Sequence, residues 1–533
     1  MSLKDQTDKL NQAKSKVLQM GGTAEVEKQH SQGKLTVRER INLLFDPGTF
    51  SEIGILGTHQ SGDSSMEGKE TPADGVVCGV GEINGRLASV IASDFTVIAG
   101  SIGEVGERKA QRIRELALTE RFPIIWLLDS AGARIQEIAS SKFASTGKMF
   151  FDQVMLSGVV PQVAAVMGPT AAGTSYIAAL ADFVPMVKGT SSMALAGAPL
   201  VKAVIGEDVT TEDLGGSKVH CEVSGVADLE VADDRECIAV IKKYLSYFPD
   251  HSGEKPPKDS AGHAAGESDR LARLMSGDSD SHEKLDDSIL KIVPDDSRKA
   301  YDMRVIIEKI ADGSSVLEIK AGFGQGIITA LARVGGHSIG IVASQPAFRG
   351  GVIDVDESDK SARFINLCDA YNIPLLYLQD VPGFMVGSAV EKKGIIRHGA
   401  KMLFATSRAS VPKITVIIRK AYGAGYYVMG GKAYGPDLIV AWPSAEISLM
   451  GAEGAVNIIF RKEIEKAKDP AKRRKELVKE YREKIALDLA AGGAYIDDVI
   501  DPRDTRRVII AALRMSENKK IMLPEKKHGV EPV

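Results

Sequence analysis

The strongest constraint on how this 533-residue chain folds is a pattern that occurs twice at a fixed spacing. Lys109 to Asp129 reads KAQRIRELALTERFPIIWLLD, and Lys360 to Asp380 reads KSARFINLCDAYNIPLLYLQD. Aligned without a gap, they share Lys109/Lys360, Arg112/Arg363, Leu116/Leu367, Pro123/Pro374, Leu127/Leu378 and Asp129/Asp380. The same offset of 251 links Gly85 to Gly336, Ser93 to Ser344, Pro161 to Pro412 and Tyr176 to Tyr427. Further on, Met193–Gly197 (MALAG) faces Ile447–Gly451 (ISLMG) at an offset of 254. Repetition on this scale predicts two copies of one structural plan, each with its own core.

Each copy reads as α/β. In the first, Val90–Ala92, Ile124–Leu128 and Val163–Met167 are short, fully apolar runs, the mark of central parallel strands. Between the first two, Ile113, Leu116 and Ala117 form a helical face at i, i+3, i+4. The second copy supplies Ile339–Ala343, Leu375–Gln379 and Ile414–Ile418, with Phe364, Leu367 and Cys368 on its helix. Strand–helix–strand alternation implies a mostly parallel sheet with right-handed crossovers.

The expected division is 1–255 for the first domain, 256–290 for a polar linker and 291–533 for the second domain. Ser252 to Asp269, rich in Gly, Pro, Ser and charge, motivates the linker. Arg461–Arg482 is a dense run of mixed charge, read as a solvated helix pair broken at Pro470. The apolar stretch 159–187 carries Pro161, Pro169, Pro185 and Asp182, which suit buried strand, turn and helix rather than a membrane span. A net charge of −4 without a basic stripe argues against nucleic acid. Four scattered cysteines with no C-x-x-C pair argue against a zinc ribbon or disulfide framework. The polar N-terminus lacks a secretory apolar segment, so a reducing cytoplasmic setting is expected.

The candidate chemistry sits in glycine- and alanine-rich turns that follow the apolar strands. In copy one these are Ser130–Arg134 and Gly168–Gly173; in copy two, Asp380–Phe384 and Lys420–Gly425. A helix start leaves N–H groups unpaired with partial positive charge, and small residues let a ligand oxygen approach them. A single such turn more often serves tight strand–helix packing. Two corresponding turns in each copy favour oxyanion stabilisation, with each donor supplying about 3–4 kcal/mol. No G-x-x-x-x-G-K-[ST] phosphate loop, G-x-S-x-G elbow or H-E-x-x-H helix is present, and Gly322–Gly326 has the wrong spacing for a dinucleotide fingerprint. His220 and His398 stand isolated and read as structural.

At these turns the sequence resembles the carboxyltransferase β subunits of propionyl-CoA and methylcrotonyl-CoA carboxylases. The resemblance rests on DSAGARIQE, EDLGGSKVHCEVSGVAD, CDAYNIPLLYLQDVPGFMVG, VPKITVIIRKAYGAGYYVMGGKAYGPD and WPSAEISLMGAEGAVNIIF, and spans nearly the whole chain. It implies two tandem domains of the ClpP/crotonase superfamily in a homohexamer, with acyl-CoA on the N-terminal domain and biotin on the C-terminal one. It also implies transfer of a carboxyl group from carboxybiotin, carried on a biotin carboxylase/carrier partner, to the α-carbon of an acyl-CoA through a thioester enolate. By match, Ala172 and Gly173 would hold the enolate oxygen and Ala424 and Gly425 the biotin oxygen. Gly132, Ala133, Ala171 and Tyr427 would line the acyl site, and Gly383, Phe384 and Gly423 the biotin site. No metal is implied. On this reading Ala172→Pro, by deleting a donor, abolishes transfer.

The chain departs from the family where Ala131 and Ala172 replace glycines, which narrows access to the backbone. Tyr427 and Gly383–Gly387 look methylcrotonyl-like, whereas Asp380-Val381-Pro382 looks propionyl-like; the lean is towards an acyl chain other than acetyl or propionyl. Two other enzymes fit the scaffold: the carboxyltransferase subunit of a biotin-dependent decarboxylase or transcarboxylase, and a crotonase-type hydratase or isomerase. The latter needs acid–base side chains in the turns, where Ala and Gly stand.

Overall fold

The computed structural model describes residues 1–60, 62–139, 141–259, 286–485 and 487–532. It divides into two compact units, Met1–Lys255 and Pro256–Val533. Most of the expected linker lies outside the described residues. Its two described ends are packed rather than loose: Asp259 N–H donates to the Gly336 carbonyl at 2.9 Å, and Ile289 is buried in the core of the second unit.

The first unit is built on β1 (Ser51–Glu52), β2 (Val76–Ile83), β3 (Arg86–Ser93), β4 (Ile124–Ser130), β5 (Gln162–Ala171), β6 (Pro185–Val187), β7 (Ser192–Ala194) and β8 (Leu229–Val231). They form one sheet in the order β1-β2-β3-β4-β5-β6-β8, with β7 pairing β5 from outside that path. The second unit has β9 (Leu317–Ile319), β10 (Ile327–Val334), β11 (His337–Ser344), β12 (Leu375–Val381), β13 (Lys413–Tyr422), β14 (Leu438–Ala441), β15 (Glu446–Ser448) and β16 (Asp498–Val499). Its order, β16-β14-β13-β12-β11-β10-β9 with β15 on β13, repeats the first sheet. In both, the early hairpin is antiparallel and the strands after it are parallel.

The duplication holds at atomic register. β2/β10, β3/β11, β4/β12 and β5/β13 each begin 251 residues apart. Even the irregularity is copied: pairing slips between Leu128 and Ser130 in β4, and between Gln379 and Val381 in β12. Strand and helix faces fall where the apolar pattern placed them. Ile113 and Ala117 of helix Glu104–Glu120 join Ile124, Trp126 and Leu128 in one core. In copy two, helix Val355–Ala370 packs so closely that a Cβ on Gly340 would sit 2.4 Å from Cys368 Sγ.

The repeated lysines are staples. Lys109 Nζ donates to the carbonyls of Ala73 and Val76, and Lys360 Nζ to those of Lys320, Phe323 and Ile327, all within 2.9 Å. Burial lowers both ammonium pKa values, that of Lys360 to about 7.

One expectation needs correction. Gly168–Ala171 and Lys420–Tyr422, read as turns from their small residues and proline, are the ends of β5 and β13. β7 and β15 pair alongside them, Pro169 opposite Ser192 and Lys420 opposite Glu446, and so prolong the strands. The stretch 159–187 supplies β5, helix Gly173–Leu180 and β6, and no helix among the described residues is long and apolar enough to cross a membrane. The charged run forms helices Arg461–Lys466 and Pro470–Lys484; Asp469 caps the second, accepting from Lys472 N–H at 3.0 Å.

Candidate active site

In copy one the end of β4 turns sharply at Gly132, whose φ is +95°. Ser130 Oγ sets this turn, accepting from Gly132 N–H at 3.0 Å while donating to the Gly100 carbonyl at 2.7 Å. Ile102 brackets it: Ile102 N–H donates to the Gly132 carbonyl and Arg134 N–H to the Ile102 carbonyl, both at 2.9 Å. A Cβ on Gly132 would lie 3.1 Å from the Ala171 oxygen, so the β4 turn rests directly against the end of β5. Gly132, Ala133, Ala171, Ala172 and Gly173 are thereby brought together. Helix Gly173–Leu180 starts here, and its first N–H groups, on Gly173 and Thr174, have no carbonyl inside the helix to bond.

Copy two repeats the arrangement. Gly383 has φ +127°, and a Cβ there would lie 3.9 Å from the Tyr422 oxygen. Ile353 N–H donates to the Gly383 carbonyl at 3.1 Å and Met385 N–H to the Ile353 carbonyl at 2.8 Å. The short helix Gly423–Val428 follows β13, with Ala424 and Gly425 in its first turn. Gly425 lies so close to the neighbouring turn that a Cβ would approach Val381 Cγ2 to 2.8 Å and Gly383 Cα to 3.1 Å. Phe384 lies against the helix Ile395–Arg408, 3.1 Å from where a Gly399 Cβ would stand, and so forms a wall. Tyr427 is 44% exposed, its ring 6.0 Å from that of Tyr434.

One site residue is corrected. Ala172 was expected to offer its N–H to the enolate, but that N–H donates to the Ala194 carbonyl of β7 at 3.0 Å. The free donors of copy one therefore begin one residue later, at Gly173 and Thr174. At the 251 offset these correspond to Ala424 and Gly425. Ala172 itself corresponds to Gly423, and both have φ +56°.

The sequence reading also missed a third loop. Ile98, Ala99 and Gly100 in copy one, and Arg349, Gly350 and Gly351 in copy two, all have positive φ. Gly100 lets this loop pass against β4, since a Cβ would collide with the Asp129 carbonyl at 2.2 Å. The Gly100/Gly351 match at offset 251 was the available signal.

Charged side chains near the turns are engaged elsewhere. Arg134 is buried, donating to Asp74 and Glu137 and to the Ser101 carbonyl at 3.0 Å. Asp129, at the end of β4, is held by Lys34 at 2.7 Å and Arg40 at 2.9 Å. Asp380 is its counterpart in copy two, held by Arg419 at 2.9 Å. His220 bonds Ser224 and the Met193 carbonyl, and His398 bonds Asp359 and Arg397, so each ring has a partner at both nitrogens. Burial pushes the Cys78 thiol up to about 11, which removes it as a nucleophile. Among the described residues no three His, Cys, Asp or Glu side chains are grouped to hold a metal. At each helix start the first backbone amides have no carbonyl inside the helix to bond, which suits a developing oxyanion.

A comparison with known proteins gives this arrangement its place. The carboxyl transferase domain matches residues 28–531. The chain belongs to that family. The carboxyltransferase subunit of propionyl-CoA carboxylase from Haloferax mediterranei is 43% identical over 534 residues, covering 100% of both chains. The methylmalonyl-CoA carboxyltransferase 12S subunit of Propionibacterium freudenreichii subsp. shermanii is 46% identical over 513 residues, 96% of this chain and 94% of that one. The crystal structure of transcarboxylase 12S, a hexamer with methylmalonyl-coenzyme A and methylmalonic acid bound, aligns with a TM-score of 0.92 at 44% identity, covering 100% of this chain and 99% of that one. This carboxyl transferase is therefore an enzyme of acyl-CoA carboxyl transfer, with two tandem crotonase-like domains. The hydratase and isomerase reading is set aside.

Proposed function

We propose that this chain moves a carboxyl group between biotin, carried on a partner protein, and the α-carbon of a three-carbon acyl-CoA. The N-terminal unit would hold the thioester and the C-terminal unit the biotin. The observation that carries this is the paired turn: in each copy a glycine turn after one strand lies against a helix start whose first amides are unspent. In copy one, Gly173 and Thr174 would face the thioester oxygen as it gains charge, with Gly132, Ala133 and Ala171 shaping the approach. Two donors at about 3–4 kcal/mol each would supply much of the stabilisation an enolate needs.

Copy two fits the ureido ring of biotin. Gly423 and Gly425 leave the backbone bare beside Gly383, and Phe384 gives a flat wall such a ring packs against. When bound, carboxybiotin would supply CO₂ and a basic nitrogen. Ala424 and Gly425 would hold its oxygen in place and help exclude water.

The relatives carry the names of the propionyl-CoA and methylmalonyl-CoA pair, which supports a three-carbon chain against the lean towards an acyl group other than acetyl or propionyl. Exposed Leu195, Val204 and Ile205 in copy one match exposed Leu449, Ile458 and Ile459 in copy two at an offset of 254. Apolar surface of this kind supports burial between copies, in a hexamer like that of transcarboxylase 12S. The four cysteines are buried free thiols, which suits the cytoplasm.

The test mixes the purified chain with free biotin and malonyl-, methylmalonyl-, glutaconyl- or methylglutaconyl-CoA and follows CO₂ release. Methylmalonyl-CoA should turn over fastest. No turnover of any ester overturns the proposal; preference for methylglutaconyl-CoA overturns the acyl assignment. Assay with a carboxylated carrier and propionyl-CoA then separates a carboxylase or transcarboxylase from a decarboxylase.

A further inference from the structure

We propose that Arg134 is a positioning residue for the thioester site: its guanidinium fixes the Gly132 turn, on which the ester must lie to reach the Gly173 and Thr174 amides. This rests on the reading of copy one as the thioester site. Arg134 is fully buried and directly follows Gly132 and Ala133. Its fork joins segments far apart in the chain. Nη1 pairs with Asp74 and, at 2.9 Å, with Glu137; Nη2 donates to the Ser101 carbonyl at 3.0 Å. Both carboxylates are themselves held at the start of helix Glu104–Glu120. Asp74 accepts from Gly106 N–H and Glu137 from Glu104 N–H, each at 2.7 Å. Two of the joined segments are left-handed at residues with side chains: Ala73 and Asp74 have φ of +51° and +52°, Ile98 and Ala99 of +47° and +50°. Such backbone persists only where its surroundings over-determine it, and Arg134 ties both segments to the turn.

The duplication separates what the fold needs from what the site needs. In copy one, Ala99–Ile102 is fastened to the turn at successive points. Ala131 N–H donates to the Ala99 carbonyl at 2.9 Å, Ser130 Oγ to that of Gly100 at 2.7 Å, and Arg134 Nη2 to that of Ser101. Ile102 then makes its backbone bonds to Gly132 and Arg134. At the 251 offset Ser130, Ala131 and Arg134 become Val381, Pro382 and Met385, and Asp74 becomes Gln325. Valine has no hydroxyl, proline no N–H and methionine no guanidinium, so these three ties cannot form. The Ile353 pair of backbone bonds remains, and the same sheet and turn form around it. The plan therefore folds without the clamp, and its presence in copy one alone points to the chemistry there. Donors stabilise an oxyanion best when they are fixed before it forms, and a misplacement of about 1 Å lowers the rate about a hundredfold.

The test measures free-biotin-dependent decarboxylation of methylmalonyl-CoA by the full chain, per folded molecule as judged by Trp126 fluorescence. Arg134→Lys keeps a charge beside Asp74 but not the fork, and should lower kcat about tenfold. Arg134→Met brings in the copy-two residue and should lower kcat about a hundredfold. KM for the ester and for biotin should stay within about threefold of the parent in both, since the loss falls on the transition state. A residue that only stabilised the first unit would shift the urea midpoint and leave kcat per folded molecule unchanged. Asp74→Asn, which loosens the guanidinium while leaving it in place, should show the same split and serves if Arg134→Met fails to fold. A kcat within about twofold of the parent in the folded variants overturns the assignment, and so does a loss confined to KM. A parent that does not turn over the ester overturns the functional reading itself, which is a different failure.

Discussion

Exchanging Ala172 and Gly423 in turn should shift stability in opposite directions, because both have φ +56° and only one of them carries a side chain. Ala172 has φ +56° and ψ −127°, a conformation that L side chains rarely adopt. Strain of this kind costs about 1–3 kcal/mol. Ala172→Gly removes it but adds unfolded-state freedom worth about 0.4–1 kcal/mol, so the first unit should gain about 0.5–2 kcal/mol on balance. Gly423→Ala runs the other way, and its new Cβ would also sit 3.0 Å from the Leu449 carbonyl. The second unit should lose about 1–3 kcal/mol. Each unit has a single tryptophan, Trp126 in the first and Trp442 in the second, both buried. Urea unfolding by fluorescence, with the other tryptophan replaced by Phe, therefore reads each unit separately. Ala172→Gly should also keep near-parental carboxyl transfer, since the N–H bonded to Ala194 is retained. A destabilised Ala172→Gly together with a neutral Gly423→Ala would refute the argument. Proline at 172 is a different matter: its φ is fixed near −65°, so it would destroy the turn and say nothing about a donor.

Three further outcomes follow from contacts already described. Ser130→Ala removes both hydrogen bonds that shape the Gly132 turn and should cut kcat by about tenfold with a smaller effect on KM, as steady-state kinetics would show. Asp129→Asn leaves Lys34 buried without its carboxylate and Arg40 with only Asp234, and should destabilise the first unit by about 3–5 kcal/mol, read on Trp126. For Lys360, the unfolded chain holds its proton up to about 10.5 and the folded chain only to about 7. Between those values the unfolded state binds more protons, so stability rises with pH through this window and is level below it. The urea midpoint reported by Trp442 should climb from pH 7 to 9, and Lys360→Met should flatten that climb.

The parallel strands and their helices were legible because their signals are local. Ile124–Leu128 and Leu375–Gln379 are apolar throughout, and Pro470 after Asp469 breaks a helix wherever it occurs. The turns were harder. Gly168-Pro169 looks like a turn until β7, more than twenty residues later, pairs with it. The same distant strand takes the Ala172 N–H, so which amide remained free could not be read from the turn residues alone. The loop at Ile98–Gly100 has no motif of its own. Its importance lies in a collision avoided with Asp129, visible only once β4 is in place.

The copied slip in β4 and β12 sits inside a stretch that has kept one length in both halves, from the start of β2 to the end of β5. Within it, the halves have diverged by substitution alone. Beyond β5 the spacing drifts to 254, and in the second half it admits the two charged helices between β15 and β16. The molecule thus has a frame-locked cassette and a permissive tail. One-residue insertions within the cassette of either half should be poorly tolerated, whereas loops grafted after β7 or β15 should leave the turns undisturbed.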